Sequence, residues 1–257
     1  MAAAAAEPLR LRREGAVGVV EIDNPPANAL GWQLYGALED LVPRLAADEE
    51  IRAVVFASAN PKIFVAGADL RALGPAVLNR AAVEARLDRA HRVFSAVEAL
   101  SKPTVAAIEG HAMGGGCELA LCLDFRVMAR GRARIGLPEA SLGLMPGAGG
   151  TQRLARLVGR ERAARMMMLA ERLDADEAER IGLVGAVEPG AADREARLLA
   201  ERLAEMPASS LGGIKRALGA PPEADLARER AAAAEVFAQP EAADGIAAFL
   251  AKRPPLP

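Results

Sequence analysis

The pattern of apolar and polar residues predicts short β-strands, most of them in the first half of the chain. Short runs that are alternately or continuously apolar are typical of strands, and prolines such as the Pro25-Pro26 pair end them. Two such runs lie on either side of a Glu14-Gly15 turn. The predicted strands cover residues 9–13, 17–22, 53–57, 104–108, 125–129, 133–135 and 184–187.

Helical spacing of apolar residues appears between the strands and takes over after Thr151. Residues 34, 38, 41 and 45 are all leucine, a spacing that predicts the first helix. The predicted helices cover residues 32–45, 83–100, 118–123, 151–158, 160–170, 175–181, 191–205, 208–218, 223–238 and 241–252. Residues 74–82 follow neither period. Alternation of strands and helices that gives way to a helical tail predicts an α/β fold with an α-helical end.

The composition indicates a globular chain whose core is built from aliphatic side chains. Apolar residues make up 52% of the 257 positions but aromatic residues only 3%, so helices should pack closely through small side chains. The formal net charge is -2, and the basic residues are interleaved with acids. Binding to nucleic acid through phosphate neutralisation is therefore disfavoured.

Cysteine usage and the amino terminus are typical of a cytoplasmic protein. Cys117 and Cys122 are the only cysteines and should point to different faces of a helix, which excludes a disulfide framework. Without histidines nearby they do not predict a zinc site either. Residues 1–13 lack the layout of a secretion signal, and no uncharged apolar stretch approaches the length of a membrane span.

The stretch from residue 108 to residue 152 carries the residues that point to chemistry. Gly114, Gly115 and Gly116 separate a predicted strand from a predicted helix, and glycines there let a ligand approach backbone N–H groups closely. The helix adds unpaired amide donors and a partial positive charge. We therefore predict an oxyanion hole in which the Gly115 N–H is one donor. The Ala68 N–H, in a second strand-turn-helix segment, is the predicted partner, and tight packing is the alternative role for the glycines.

Two acids in this stretch, Glu118 and Glu139, each follow a turn shaped by glycine or proline. An isolated acid at a helix start is often only a favourable partner of the helix dipole. The occurrence of two such acids beside the predicted oxyanion hole favours one shared acid–base site. His111 is interpreted as a turn or packing residue and His91 as structural or exposed, because no Ser-His-Asp arrangement is apparent.

A dinucleotide-binding site is a further possibility that the sequence disfavours. The segment Gly147-Ala148-Gly149 begins like a glycine-rich fingerprint, but Gln152 takes the place of its last glycine. No clear strand precedes the segment.

Several long segments of the chain closely resemble the enoyl-CoA hydratase/isomerase (crotonase) family. The matching segments are N-P-P-A-N-A-L at 24–30, F-V-A-G-A-D-L at 64–70, G-H-A-M-G-G-G-C-E-L-A at 110–120 and G-L-P-E-A-S-L-G-L-M-P-G-A-G-G-T-Q-R-L at 136–154. A weaker match, G-I-A-A-F-L-A-K-R, covers 245–253. Together they span nearly the whole chain in the order found in the family.

The resemblance implies an α/β fold in which β-β-α units repeat as a spiral. Residues 1–195 would form the spiral core with the site for a CoA thioester. Residues 196–257 would form a helical region that assembles homotrimers, commonly paired into hexamers. The family's oxyanion amides map onto Ala68 and Gly115, and its two hydratase acids map onto Glu118 and Glu139.

The resemblance also implies contacts with CoA, whose phosphates call for cations along its path. These contacts map onto Lys62, Ala66, Arg71, Phe249 and Lys252. For the two lysines, ordinary solvated charge is the alternative, and Lys252 would act across a subunit boundary. CoA would belong to the substrate, so neither a separate cofactor nor a metal is expected.

The activity implied is that of an enoyl-CoA hydratase, which adds water in syn fashion across the 2,3 double bond of a trans-2-enoyl-CoA to give a 3-hydroxyacyl-CoA. Glu118 is assigned as the base and Glu139 as the proton donor, a division of roles that the sequence leaves open. The alternatives are a Δ3,Δ2-enoyl-CoA isomerase, which usually lacks the acid at position 118, and a non-catalytic CoA-binding assembly subunit. The resemblance does not determine which acyl chain the enzyme prefers or whether the assembly is a trimer or a hexamer. It also leaves open whether the pathway is fatty-acid β-oxidation, amino-acid degradation or aromatic degradation.

Overall fold

A computed structural model describes residues 7–77 and 79–253. Residues 1–6 lie outside the described residues; they belong to the segment tested for a secretion signal. The same holds for residues 254–257, at the end of the predicted helical region, and for residue 78, within the segment 74–82 that follows neither period. The strands found are β1 (Leu9–Glu14), β2 (Val17–Ile22), β3 (Ala53–Ser58), β4 (Ile63–Val65), β5 (Thr104–Ile108), β6 (His111–Met113), β7 (Phe125–Ala129), β8 (Ile135–Gly136) and β9 (Gly185–Val187).

The strands form two sheets. The larger has the order β1-β2-β3-β5-β7-β9 and is parallel except for the β1–β2 hairpin. The smaller has the parallel order β4-β6-β8. Neither β4 nor β6 is among the strands predicted from the sequence. Both strands have three residues, too few to show the alternation by which a strand is recognised.

The helices follow the predicted positions closely. They are α1 (Trp32–Ala47), α2 (Leu70–Leu73), α3 (Arg80–Glu98), α4 (Gly115–Leu121), α5 (Gly150–Val158), α6 (Arg160–Met168), α7 (Ala175–Arg180), α8 (Ala192–Glu205), α9 (Ala208–Leu218), α10 (Glu223–Phe237) and α11 (Pro240–Leu250). Two 3-10 segments cover Gly74–Ala76 and Glu139–Leu142. The predicted start of α4 at residue 118 is wrong, because the helix already begins within the glycine turn.

The two faces of the larger sheet are covered in different ways. On one face, α1 and α3 contribute large aliphatic residues and Phe94 to the main core. On the other face, α8 packs through Ala192, Ala196, Ala200 and Ala204, all buried against alternate residues of the strands. Residues four apart lie on one face of a helix, so this alanine row brings the α8 backbone close to the sheet. Close packing through small side chains is thus confirmed.

The last two helices described lie against the core of the same chain. α10 packs against α3, and α11 packs against α2 and the Glu139–Leu142 segment. The division into residues 1–195 and 196–257, and the assembly role of the second part, stay predictions. Among the described residues, no helix combines the length and the apolar character that crossing a membrane would require.

Candidate active site

Two backbone turns bring the amides of Ala68 and Gly115 side by side. Gly67 and Gly114 have φ angles of 104° and 53°, a region that residues with a Cβ rarely occupy. A Cβ built on Gly115 would lie 3.7 Å from the Ala68 nitrogen. Gly115 is the first residue of α4, where N–H groups have no partner within the helix. Within the described part of the chain, Ala68 N donates to no other protein group.

Glu118 lies in the first turn of α4 and is buried, with 4% of the residue exposed. Its Oε1 accepts hydrogen bonds from the N–H groups of Ala148, at 2.8 Å, and Gly150, at 2.9 Å. Burial and the charge of Glu229 raise the pKa of Glu118 to about 7, against the opposing effect of the two amides and of Arg153. At neutral pH this carboxyl is therefore divided between its protonated and ionised forms.

Glu139 begins the second 3-10 segment and lies against the glycine turn before α4. A Cβ built on Gly114 would be 3.0 Å from Glu139 Oε1, so a larger residue at position 114 would press on the carboxyl. Glu139 Oε2 is buried and has no hydrogen-bond partner among the described residues. Burial and the charge of Glu118 raise the pKa of Glu139 well above its ordinary value, which favours the protonated form.

A third acid, Glu229 of α10, holds the loop that contacts Glu118. Glu229 is buried, and its two carboxylate oxygens accept hydrogen bonds from the N–H groups of Gly149 and Thr151. The Thr151 hydroxyl donates to the same acid. The four successive amides of residues 148–151 thus alternate between Glu118 and Glu229. The position of the Glu118 carboxyl is consequently tied to a helix near the end of the chain.

His91 of α3 completes this buried group. It is 2% exposed, and its Nε2 lies 3.2 Å from Glu229 Oε1. Burial opposes ionisation of Glu229, but the contacts with His91 and Thr151 outweigh it and lower the pKa of that acid. Of the two predicted roles for His91, the structural one holds. Sequence reasoning missed Glu229, because a charged residue within a helical pattern is normally a solvated one.

Arg153 of α5 secures the same loop from its other side. Its Nη1 donates to the Ala148 carbonyl at 2.8 Å, and its Nη2 donates to Glu98 Oε2 at 2.8 Å. The residue is only 4% exposed. The loop is therefore held through its carbonyl as well as through its amides, and it presents a fixed pair of donors to Glu118.

A cavity of about 560 Å³ opens beside these groups. Most of the predicted site residues line it: Ala66, Ala68, Gly115, Glu118, Glu139 and Phe249. Lys62, Arg71 and Lys252 are exposed and are not among the described residues that line the cavity. The CoA contacts assigned to these three cations stay predictions.

The cavity lining combines cations with an apolar cluster. It includes His111, Arg134, Arg172 and Arg253, three of them cations that sequence reasoning did not single out. His111, interpreted as a turn or packing residue, is half-buried, and burial followed by the charges of nearby arginines lowers its pKa. The apolar part of the lining is a cluster of Leu73, Val83, Leu87, Leu144 and Phe237. A ligand with a charged part and an aliphatic part suits this lining.

Comparison with known proteins gives a consistent result. The family model described as enoyl-CoA hydratase/isomerase matches residues 12–256. The short-chain-enoyl-CoA hydratase of Clostridium acetobutylicum is 38% identical over 95% of this chain and 94% of its own length. The 2,3-dehydroadipyl-CoA hydratase of Escherichia coli is 38% identical over 96% of this chain and 97% of its own length. The crystal structure of carnitinyl-CoA hydratase from Mycobacterium avium superposes with a TM-score of 0.84 at 31% identity, over 97% of this chain and 98% of that one.

The fold and the full-length similarity to named hydratases show that the protein is an enzyme. The chain belongs to the enoyl-CoA hydratase/isomerase family, as the matched family model and the full-length relatives establish. The family resemblance, the crotonase-like α/β fold with its helical end, and the assignment as an enzyme are thereby confirmed.

Proposed function

We propose that this protein is an enoyl-CoA hydratase that adds water across the 2,3 double bond of a trans-2-enoyl-CoA. One observation carries the proposal: two carboxyl groups, both with a pKa raised by burial, line the same cavity as two amides that can bind an oxygen. Separation of the pKa values of two acids is how a single site supplies both an acid and a base. Two similar proteins are named as hydratases of CoA thioesters, which supports an enoyl-CoA as the substrate.

The oxyanion hole would bind the thioester carbonyl oxygen through the N–H groups of Ala68 and Gly115. Two donors aimed at this oxygen withdraw electrons from the conjugated double bond, so that C3 becomes open to attack by water. They also stabilise the enolate that forms as the electrons move onto the oxygen. Loss of one such donor typically lowers the rate by about 10²–10³-fold.

The two acids would divide the proton transfers. Glu118, whose pKa near 7 leaves a large ionised fraction, takes a proton from the water as its oxygen bonds to C3. Glu139, whose pKa is raised well above its ordinary value, gives its proton to C2 as the enolate collapses. Both carboxyls line the same cavity, and syn addition requires them to act on one face of the double bond. Each positioned acid or base contributes about 10²–10⁴-fold.

The cations in the cavity lining would receive the CoA part of the substrate. They include Arg134, Arg172 and Arg253, and guanidinium groups suit phosphate oxygens. Lys62 and Lys252 lie outside the cavity lining and are proposed to contact CoA beyond it. Neither a redox cofactor nor a metal enters the proposed reaction, which transfers only water and protons. Activity should therefore survive gel filtration in the presence of a chelator.

A direct assay tests the function. Purified protein should remove the enoyl-thioester absorbance of crotonyl-CoA and form 3-hydroxybutyryl-CoA. Glu118→Gln and Glu139→Gln should each abolish hydration while leaving binding of a saturated acyl-CoA intact. No turnover with any enoyl-CoA would refute the hydratase assignment and favour a binding subunit. Conversion of a 3-enoyl-CoA that survives Glu118→Gln would favour an isomerase instead.

The assembly is also proposed from the resemblance, as a homotrimer or a dimer of trimers. Sedimentation equilibrium of the full chain measures the mass directly. A monomer at the concentrations used in the assay would contradict this part of the proposal.

A further inference from the structure

Two polar residues line the cavity together with its apolar cluster. They are Tyr35, from α1, and Arg86, from α3. Each affects the pKa of the other, so the two lie near each other. Arg86 precedes Leu87 of the apolar cluster, whose Cδ2 would be 2.5 Å from a Cβ built on Gly147, beside the loop that contacts Glu118. An acyl chain that packs on this cluster would therefore pass close to Arg86 and Tyr35.

Arg86 has no acidic partner within the described part of the chain, although its neighbours on α3 do. Arg89 is 2.6 Å from Glu39, and Arg80 is 2.8 Å from Glu84. The only recorded hydrogen bond of Arg86 among these residues is a 3.5 Å contact of Nη1 with the Ala72 carbonyl. Burial lowers the pKa of Arg86, so desolvation is not fully offset by surrounding charge.

One acid, Asp69, acts on Arg86 from a distance, and its charge raises the pKa of Arg86. Asp69 Oδ1 accepts from the N–H groups of Arg71 and Ala72 and so caps α2. The Arg86 guanidinium lies over the Trp32 ring, 5.2 Å from its centre. A guanidinium that contacts an aromatic ring can still bind a carboxylate in a fork through its N–H groups.

Tyr35 adds a second donor to the same region. Its ring packs on Phe94, with centroids 5.9 Å apart, while its hydroxyl makes no recorded hydrogen bond within the described ranges. Burial and the charge of Glu118 raise the pKa of Tyr35, whereas Arg86 acts in the opposite direction. The hydroxyl therefore stays protonated and can donate.

We propose that Arg86 and Tyr35 form a subsite for a carboxylate at the far end of the acyl chain, so that the preferred substrates are enoyl-CoAs of dicarboxylic acids. This inference rests on the proposed hydratase function and adds the substrate class. A carboxylate there supplies the counter-charge that Arg86 lacks and an acceptor for the Tyr35 hydroxyl. A purely aliphatic chain leaves both groups without a partner, which makes their desolvation costly.

Matched substrate pairs test the subsite. Each pair has one chain length, with a methyl group or a carboxylate at the end, and lengths from six to ten carbons cover different reaches into the cavity. The wild type should show a higher kcat/KM for the carboxylate member at one of these lengths. Arg86→Met should lower the ratio of carboxylate to methyl activity by about tenfold or more, since a hydrogen-bonded charge is lost. Tyr35→Phe should lower the same ratio by a smaller factor.

Arg89→Met provides the matched control. Arg89 lies over the same Trp32 ring, at 4.8 Å, but it is paired with Glu39 and does not line the cavity. This change should leave the substrate ratio unaltered. If Arg86→Met and Arg89→Met alter the ratio equally, or if Arg86→Met does not alter it at any length, the subsite is refuted.

A binding measurement separates failure of the subsite from failure of the proposed function. Calorimetry with saturated acyl-CoAs, which cannot be hydrated, should give tighter binding of the carboxylate member and loss of that preference in Arg86→Met. Hydration of methyl-ended substrates without any carboxylate preference overturns the subsite and leaves the hydratase intact. Binding preference without turnover of any enoyl-CoA supports the subsite and overturns the hydratase. Arg86→Lys should restore part of the preference if charge, and not only packing on Trp32, is responsible.

Discussion

Replacement of Glu118 by glutamine should stabilise the protein at neutral pH while removing its activity. The carboxyl is buried and its pKa is raised to about 7 from an ordinary value of 4.5. Ionisation of Glu118 is therefore more costly in the folded chain than in the unfolded chain. The carbonyl oxygen of a glutamine can still accept from the N–H groups of Ala148 and Gly150, so the loop keeps its hydrogen bonds.

The size and sign of this effect follow from linkage between protonation and folding. A difference of about 2.5 pKa units corresponds to about 3 kcal/mol, at about 1.4 kcal/mol per unit. Between pH 4.5 and pH 7 the folded chain binds more protons than the unfolded chain, so stability falls as the pH rises. The stabilising contribution of the protonated carboxyl is complete below pH 4.5 and is lost as the pH rises through 7. Glu118→Gln should lack this dependence.

Urea unfolding at a fixed protein concentration, repeated from about pH 4.5 to pH 8, measures the difference. The free energy of unfolding of Glu118→Gln minus that of the wild type should grow with pH and level off about 3 kcal/mol higher above pH 7. Glu201→Gln, at an exposed position on α8, corrects for the general loss of one negative charge. A difference that does not change with pH would refute the assignment of a raised pKa to Glu118.

Three further changes test other parts of the structure. Gly115→Ala would place a Cβ 2.5 Å from a leucine methyl carbon and displace the proposed oxyanion amide, so kcat should fall by about 10²-fold or more. Gly185→Ala is the control: the nearest atom to its Cβ is 3.9 Å away, so steady-state kinetics should be unchanged. Glu229→Gln offers one acceptor oxygen in place of two and should cost about 1–3 kcal/mol in urea unfolding. It also removes a charge that raises the pKa of Glu118, so the acid limb of the kcat pH profile should move to lower pH. Ala200→Leu on α8 should overpack the contact with the sheet and lower stability by about 1–3 kcal/mol in the same unfolding assay.

The sequence alone was enough for the features that depend on neighbouring residues. Apolar spacing located the strands of the larger sheet and the long helices within one to three residues, because the two periods differ clearly over such lengths. The glycine turns predicted the amides of Ala68 and Gly115 as a pair, since a helix start must leave N–H groups without helical partners. The family motifs also located Glu118 and Glu139, because each of these acids is adjacent in sequence to the residues that form its turn.

Tertiary structure decided what depends on residues far apart in the chain. The short strands β4 and β6 exist because they pair with each other, and three residues carry no recognisable period by themselves. Glu229 and His91 meet only when α10 packs on α3, and the hydrogen bonds of Glu229 to the 148–151 loop help set the environment of Glu118. Likewise, Arg86 looks like any other surface arginine of a helix until the fold places it in the cavity lining, where no acid among the described residues forms an ion pair with it. A local sequence pattern determines the backbone conformation of its own segment. The burial and the electrostatic environment of a site depend on all the residues that the fold brings near it.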